Sequence, residues 1–128
     1  MAEAGTGIRH YEARAESTAV FGRVLCSCRT HHFVSDGPVQ NGCPGEEITP
    51  GELFLAGVAG CGVELLQVLA RQGQIPLTQV SVAIRGSVDR EKPVRSDVTV
   101  FNSVRLHFGV RGVTEAQAAE LLRGFKAR

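Results

Sequence analysis

The stretch Thr49-Pro50-Gly51-Glu52-Leu53-Phe54-Leu55-Ala56-Gly57-Val58-Ala59-Gly60-Cys61-Gly62-Val63-Glu64-Leu65-Leu66-Gln67-Val68-Leu69-Ala70 decides how the chain folds. Thr49 stands at an N-cap, Pro50 at the first helical position, and Glu52 three residues after the cap. A threonine oxygen there accepts from the third backbone N–H, and the glutamate reaches back to the N–H of the cap. Proline loses nothing at that place, because the N–H it lacks has no helical partner. The spacing predicts a helix from Pro50 to about Gln72, with Gly73 as its stop and Pro76 beyond it. Leu53 to Leu66 is apolar nearly all round, so we expect the helix to be buried on most sides. Gly57, Gly60 and Gly62 each cost about 1 kcal/mol relative to alanine in a helix interior. Close approach of another backbone is the usual compensation.

On the N-terminal side the pattern has period two. Tyr11, Ala13 and Ala15 alternate with Glu12, Arg14 and Glu16, which predicts a weak strand over His10–Glu16. A second strand is expected over Val20–Arg29, with Gly22, Val24, Cys26 and Cys28 on one face, and a short third over His32–Val34. Ser35–Ile48 carries Gly, Pro, Asn and Asp and reads as a loop. On the C-terminal side, Thr78–Asp89 places Val80, Val82, Ile84 and Val88 on one face. Val98–Arg111 alternates again, after a charged turn over Arg90–Ser96. Thr114 and Gln117 form a second capping box, opening a helix with Ala118, Leu121, Leu122 and Phe125 on its apolar side. The order predicts an α+β fold, an antiparallel sheet packed on a buried central helix and a C-terminal helix. One chain has little left to cover the free sides of the central helix, which points to a dimer.

With 128 residues, 43% of them hydrophobic, the chain suits one domain spanning residues 1–128 and needs no metal or disulfide staple. A net charge of +1 gives no case for nucleic-acid binding. Charge is nevertheless segregated: residues 1–70 hold four Arg against eight carboxylates, and residues 71–128 hold ten Lys and Arg against five. Opposite halves of two copies would attract across a dimer; chance segregation on solvated faces is the equal alternative. The first fourteen residues have no apolar core of a signal peptide. Leu53–Ala70 is interrupted by three glycines, Glu64 and Gln67, so we expect no membrane span and a cytoplasmic address.

Four cysteines, Cys26, Cys28, Cys43 and Cys61, form no CxxC pair and no zinc spacing. His31 and His32 near Asp36 have no second ligand cluster, so neither metal nor cofactor is expected. Cys61 draws attention because Gly60 and Gly62 flank it. Buried cysteine is most often a small core hydrophobe; bare neighbours would instead let a small substrate reach the sulfur. A thiolate in mid-helix needs a nearby cation, and no Lys or Arg occurs from Thr30 to Ala70. Glu64 shares the face of Cys61, and a carboxylate there disfavours a thiolate unless a cation neutralises it. Glu52, nine residues before Cys61, is about 13 Å away along the axis and is accounted for by capping alone. Cys26 and Cys28 read as core, and Cys43 as an exposed loop cysteine.

The segment Thr49–Ala70 resembles the OsmC/Ohr family, osmotically inducible protein C and the organic hydroperoxide resistance proteins. That family carries a helix of the form P-x-E-L-(L/F)-x-A-(A/G)-x-x-(A/G)-C. Phe33-Val34-Ser35-Asp36-Gly37-Pro38 with Asn41-Gly42 is similar to the loop before that helix, and Ala119–Arg128 to the C-terminal helix. The resemblance implies an intertwined α+β homodimer with two interface sites and cysteine-dependent reduction of organic hydroperoxides. Cys61 matches the attacking thiol, with Glu52 as the accompanying carboxylate. A second cysteine would condense with the oxidised thiol and an external dithiol would reset the pair. The alternative it leaves open is a non-catalytic homodimer binding a small apolar ligand or partner. Three positions depart from the peroxidase pattern. Gly51 stands where those members have Glu, the loop before the helix lacks their Arg, and their second cysteine falls beyond Arg128. These departures place the chain nearer the OsmC-like branch than the peroxidases.

Overall fold

Two capping boxes fix where the helices begin. In a computed structural model describing residues 7–128, the Thr49 N–H donates to Glu52 Oε1 at 2.9 Å and the Glu52 N–H donates to Thr49 Oγ1 at 3.3 Å. Helix α1 follows over Pro50–Gln72. The Thr114 N–H donates to Gln117 Oε1 at 3.0 Å, the Gln117 N–H returns to Thr114 Oγ1 at 3.2 Å, and α2 runs over Glu115–Lys126. Five strands complete the α+β architecture in two antiparallel sheets. The chain divides into two compact units, Met1–Leu53 and Phe54–Arg128, with α1 starting in the first and continuing into the second.

The first unit is a three-stranded sheet in the order β1-β2-β3: β1 Arg14–Ser17, β2 Arg23–Cys28 and β3 His31–Asp36. Strands β1 and β2 are shorter than the alternation suggests. Thr18 takes the chain out of β1, its hydroxyl accepting from the Val20 N–H at 3.1 Å and donating to the Arg23 carbonyl at 3.0 Å. Gly22 then turns with φ 80°. Strand β3 is longer than expected, because pairing with β2 carries it to Asp36. Arg29 and Thr30 alone join β2 to β3, with Arg29 held at φ 56°. Asp36 ends β3 buried, opposite Arg23. It receives Arg23 Nε at 2.8 Å and Nη2 at 2.9 Å, and the backbone N–H groups of Glu46 and Glu47 at 3.0 and 2.9 Å. These bonds fold the loop after β3, including the 3-10 turn Val39–Asn41, back against the strand. Among the described residues of this unit, the fully buried side chains are Ser35 and Asp36, both polar.

The second unit packs α1 and α2 on the hairpin of β4 (Gln79–Ser87) and β5 (Ser103–Arg111). Buried Gly62, Leu66 and Ala70 recur every four residues along α1, a single seam on one side of the helix. A Cβ at Gly62 would lie 3.3 Å from the Phe108 ring and 3.5 Å from Val82, so the missing side chain sets how closely helix and sheet approach. Leu66, Ala70 and Leu121 form the buried core, with Val80, Phe108, Val110 and Phe125 packed around them. Phe108 and Phe125 meet edge to face at 5.1 Å between ring centres. The alternation predicted for β4 holds, with Val80, Val82 and Ile84 half-buried between exposed neighbours.

Three expectations are corrected here. Strand β5 begins at Ser103, not Val98. The Asn102 side chain accepts from the Asp89 N–H at 2.8 Å and donates to the Lys92 carbonyl at 2.6 Å, so local bonds hold the end of the connecting loop and pairing starts after it. Gly73 is not the left-handed residue that ends α1. Gln74 is, at φ 53°, with the Ile75 N–H donating to the Ala70 carbonyl at 2.8 Å and the Gln74 N–H to the Arg71 carbonyl at 3.3 Å. That is a Schellman closure with glutamine where glycine is usual. Finally, α1 is buried on one side, not on most: Phe54 is 57% exposed and Val68 37%. By length and composition alone α1 is long and apolar enough to cross a membrane, its most apolar 18-residue window having a mean hydropathy of 1.9. Its seam against β4, β5 and α2 makes it the core helix of the second unit.

These contacts make two stability predictions. Gln74→Gly should raise the unfolding free energy by about 1 kcal/mol, since a left-handed side chain costs about that much, and a urea midpoint above wild type checks it. The guanidinium of Arg23 and two backbone N–H groups hold the Asp36 carboxyl far below the usual carboxylate range. Its stabilisation is therefore complete above the unfolded value of about 3.9 and disappears as pH falls through the lower folded value. Asp36→Asn should lower the melting midpoint at pH 7 and flatten its decline towards pH 2, read by thermal scans across that range.

Candidate functional site

Helix geometry places Cys61 about 100° around α1 from Gly62. Gly62 is buried against the sheet, and Cys61 is exposed. One turn earlier Gly57, and beside the cysteine Gly60, border open space, since a Cβ at either position would meet nothing within 4 Å. Among the described residues nothing packs against these two glycines. They leave the sulfur approachable from that side of the helix. The other three cysteines, Cys26, Cys28 and Cys43, are free and half-buried.

One turn beyond Cys61, exposed Glu64 opens a shallow cleft of about 480 Å³ lined also by Gln67, Val68, Arg71, Ile75 and Leu77. Arg71 was not among the candidates drawn from the sequence. It lies one residue past the cation-free stretch and seven residues after Glu64, a spacing that returns to the same face. The cleft thus has a carboxylate, a guanidinium and an apolar wall. At the other end of the exposed side, Phe54 stacks on Phe101 with ring centres 5.6 Å apart.

Glu52 is held by the helix cap. Its Oε1 accepts from the Thr49 N–H at 2.9 Å and the Thr49 hydroxyl at 3.0 Å. These bonds hold its carboxyl below the ordinary value. The helix keeps it nine residues from Cys61, about 13 Å of axial rise.

Cys43 is half-buried and not an exposed loop thiol. Its Sγ packs where β-carbons on Gly22 and Gly37 would stand, 2.5 Å from each such position. The Arg23 cluster escaped the sequence reading as well. Arg23 bridges Asp36 and Glu46, whose Oε1 lies 2.8 Å from its Nη2, and both anions raise its basicity. The only advance sign of it is the strand register, which pairs positions thirteen residues apart. Asp36 is thereby committed to Arg23, and His32 Nδ1 lies 2.9 Å from Ser27 Oγ. Among the described residues, no group of three or more His, Cys, Asp or Glu side chains could hold a metal ion.

Comparison with known proteins agrees with this architecture. The sequence model of a family described as OsmC-like protein matches residues 43–128. No curated protein sequence matches the chain. An OsmC-like protein from Mycoplasma pneumoniae superposes with a TM-score of 0.79 at 16% identity, covering 94% of this chain and 82% of that one. An organic hydroperoxide resistance protein from Elizabethkingia anophelis gives 0.76 at 17% identity, covering 95% and 85%. Another, from Legionella pneumophila, gives 0.71 at 22% identity, covering 94% and 85%. At such identities the likeness is one of fold. The family match covers well over half of the sequence, and on that ground the chain belongs to the OsmC-like protein family, sharing its fold with organic hydroperoxide resistance proteins.

Proposed function

We propose that this protein is a homodimeric, cysteine-dependent peroxidase that reduces small organic hydroperoxides, with Cys61 as the attacking thiol. The observation that carries the reading is the exposure of Cys61 on α1, beside glycines that border open space. The Cys61 thiolate attacks the distal peroxide oxygen, the O–O bond breaks, and the leaving alkoxide takes a proton to become an alcohol. Cysteine is left as the sulfenic acid. One thiol of an external dithiol condenses with it and releases water. The second thiol then displaces Cys61 and leaves the reductant oxidised. Glu52 positions the start of α1 through Thr49. Glu64 and Arg71 edge the cleft along which a substrate tail would lie.

A second copy is supported by the apolar side of α1. Phe54, though stacked on Phe101, is 57% exposed in one chain and Val68 is 37% exposed, and a large exposed apolar patch marks an interaction site. The stretch from Thr30 to Ala70 has no Lys or Arg to pair with a thiolate, which favours one rival, a homodimer whose cleft binds a small ligand without chemistry.

Two measurements decide between them. Native protein treated with a sub-stoichiometric alkyl hydroperoxide and a sulfenic-acid trap should carry the adduct on Cys61, and Cys61→Ser should lose both adduct and peroxide turnover. Turnover unchanged in Cys61→Ser, or an adduct spread over the other cysteines, would leave the ligand-binding homodimer. Sedimentation equilibrium at micromolar concentration should give twice the chain mass; a monomer overturns both readings.

A further inference from the structure

Cys26 and Cys28 lie two residues apart on β2, the middle strand of the first unit's sheet, so both side chains stand on one face. Phe33 is directly across from Cys26 on β3, Ala15 flanks it from β1, and His31 is directly across from Cys28. The opposite face holds the Arg23–Asp36 pair and the Ser27–His32 contact, whose polar groups bond one another. On the thiol face Ser35 bonds the Ile48 carbonyl at 2.9 Å, and among the described residues no side-chain hydrogen bond to either thiol is seen. Both thiols are free and only half-buried.

This pair cannot serve as a disulfide in the observed fold. Residues i and i+2 of a strand are about 6.7 Å apart, and so, nearly, are their β-carbons. A disulfide needs β-carbons about 3.8 Å apart. Closing it would bend a strand that is hydrogen-bonded on both sides. A metal ion between the sulfurs spans the longer gap. Two metal–thiolate bonds of about 2.3 Å put collinear sulfurs about 4.6 Å apart, which inclining the two Cβ–Sγ bonds towards each other achieves without moving the backbone. Zinc would need four ligands, and no group of three or more is built among the described residues. Two thiolates alone suit a soft ion that accepts two-coordination, and thiolate softness selects copper(I) over harder cations.

We propose that Cys26 and Cys28 form a two-thiolate site for a soft monovalent metal ion of the copper(I) class. Binding releases the two S–H protons and forms two metal–sulfur bonds, and no electron moves. The bound unit carries one negative charge. Phe33 keeps the Cys26 side of the site apolar and hinders a hydrated hard cation. The site is independent of Cys61 and of any peroxidase activity.

Silver(I) is a redox-inert probe of this chemistry. The reduced full chain would be given one equivalent, then an excess of a monothiol that strips singly held ions, then a thiol-alkylating reagent, with adducts mapped against metal-free protein. The expected result is one silver retained per chain, with alkylation of Cys26 and Cys28 lost together and that of Cys61 unchanged. Cys26→Ser and Cys28→Ser should each abolish retention, and Cys61→Ser should not. Removal of the ion by the monothiol, protection of Cys61 or Cys43 instead, or protection of Cys26 and Cys28 separately would overturn the proposal. Mapping on the unaltered chain stands even where a variant fails to fold.

Discussion

The approach of α1 to the β4–β5 hairpin at Gly62 is the contact on which the second unit turns. With no side chain at that position, the helix comes within van der Waals reach of Phe108 and Val82. Leu66 and Ala70, one and two turns on, then close against Leu121. Once this side of the helix is committed to the sheet, the remaining positions have no choice of direction. Cys61, the residue before Gly62, must face away from the core, and so must Gly57 and Glu64. The accessibility of the thiol is therefore a consequence of core packing one residue along, and needs no separate device.

The first unit is organised on a different basis. Among the described residues its buried side chains are Ser35 and Asp36, each bonded to the loop that leads into α1. A buried carboxylate is costly unless paired and hydrogen-bonded, and Asp36 is both. Its geometry orders the segment from Gly37 to Glu47 by directional bonds in place of apolar contacts. The half-buried thiols on the face opposite Asp36, which they share with Ser35, are consistent with a unit whose stability does not come from a hydrophobic core of its own.

Features written in neighbouring residues were legible in the sequence. The caps at Thr49 and Thr114 need a partner only three residues on, and both formed as read. The alternation of β4 needs only one buried face. What escaped depends on contacts between distant positions or on competition between local ones. Arg23 finds Asp36 only after β2 and β3 pair. Thr18 and Asn102 trim strands whose alternation runs further than their pairing, because a side chain that bonds the backbone offers it an alternative to the ladder. Gln74 replaced Gly73 as the left-handed residue because the closing bonds count from Ala70, and the nearest glycine lies one place too early. Cys61 was read from its neighbours, but its exposure required knowing which side of an all-round apolar helix meets the sheet. On the other side Phe54 and Val68 stay exposed.

The division of α1 into a packed side and a free side has a bearing on how such a protein changes over time. A substitution at position 62, 66 or 70 alters the spacing between helix and sheet and is paid for in stability. Substitutions at 57, 60 or 64 touch nothing in the chain's own core. Chemistry along one edge of the helix can then be retuned while the scaffold is conserved along the other, and variation should recur with the helical period, sparing every fourth residue from Gly62 onward.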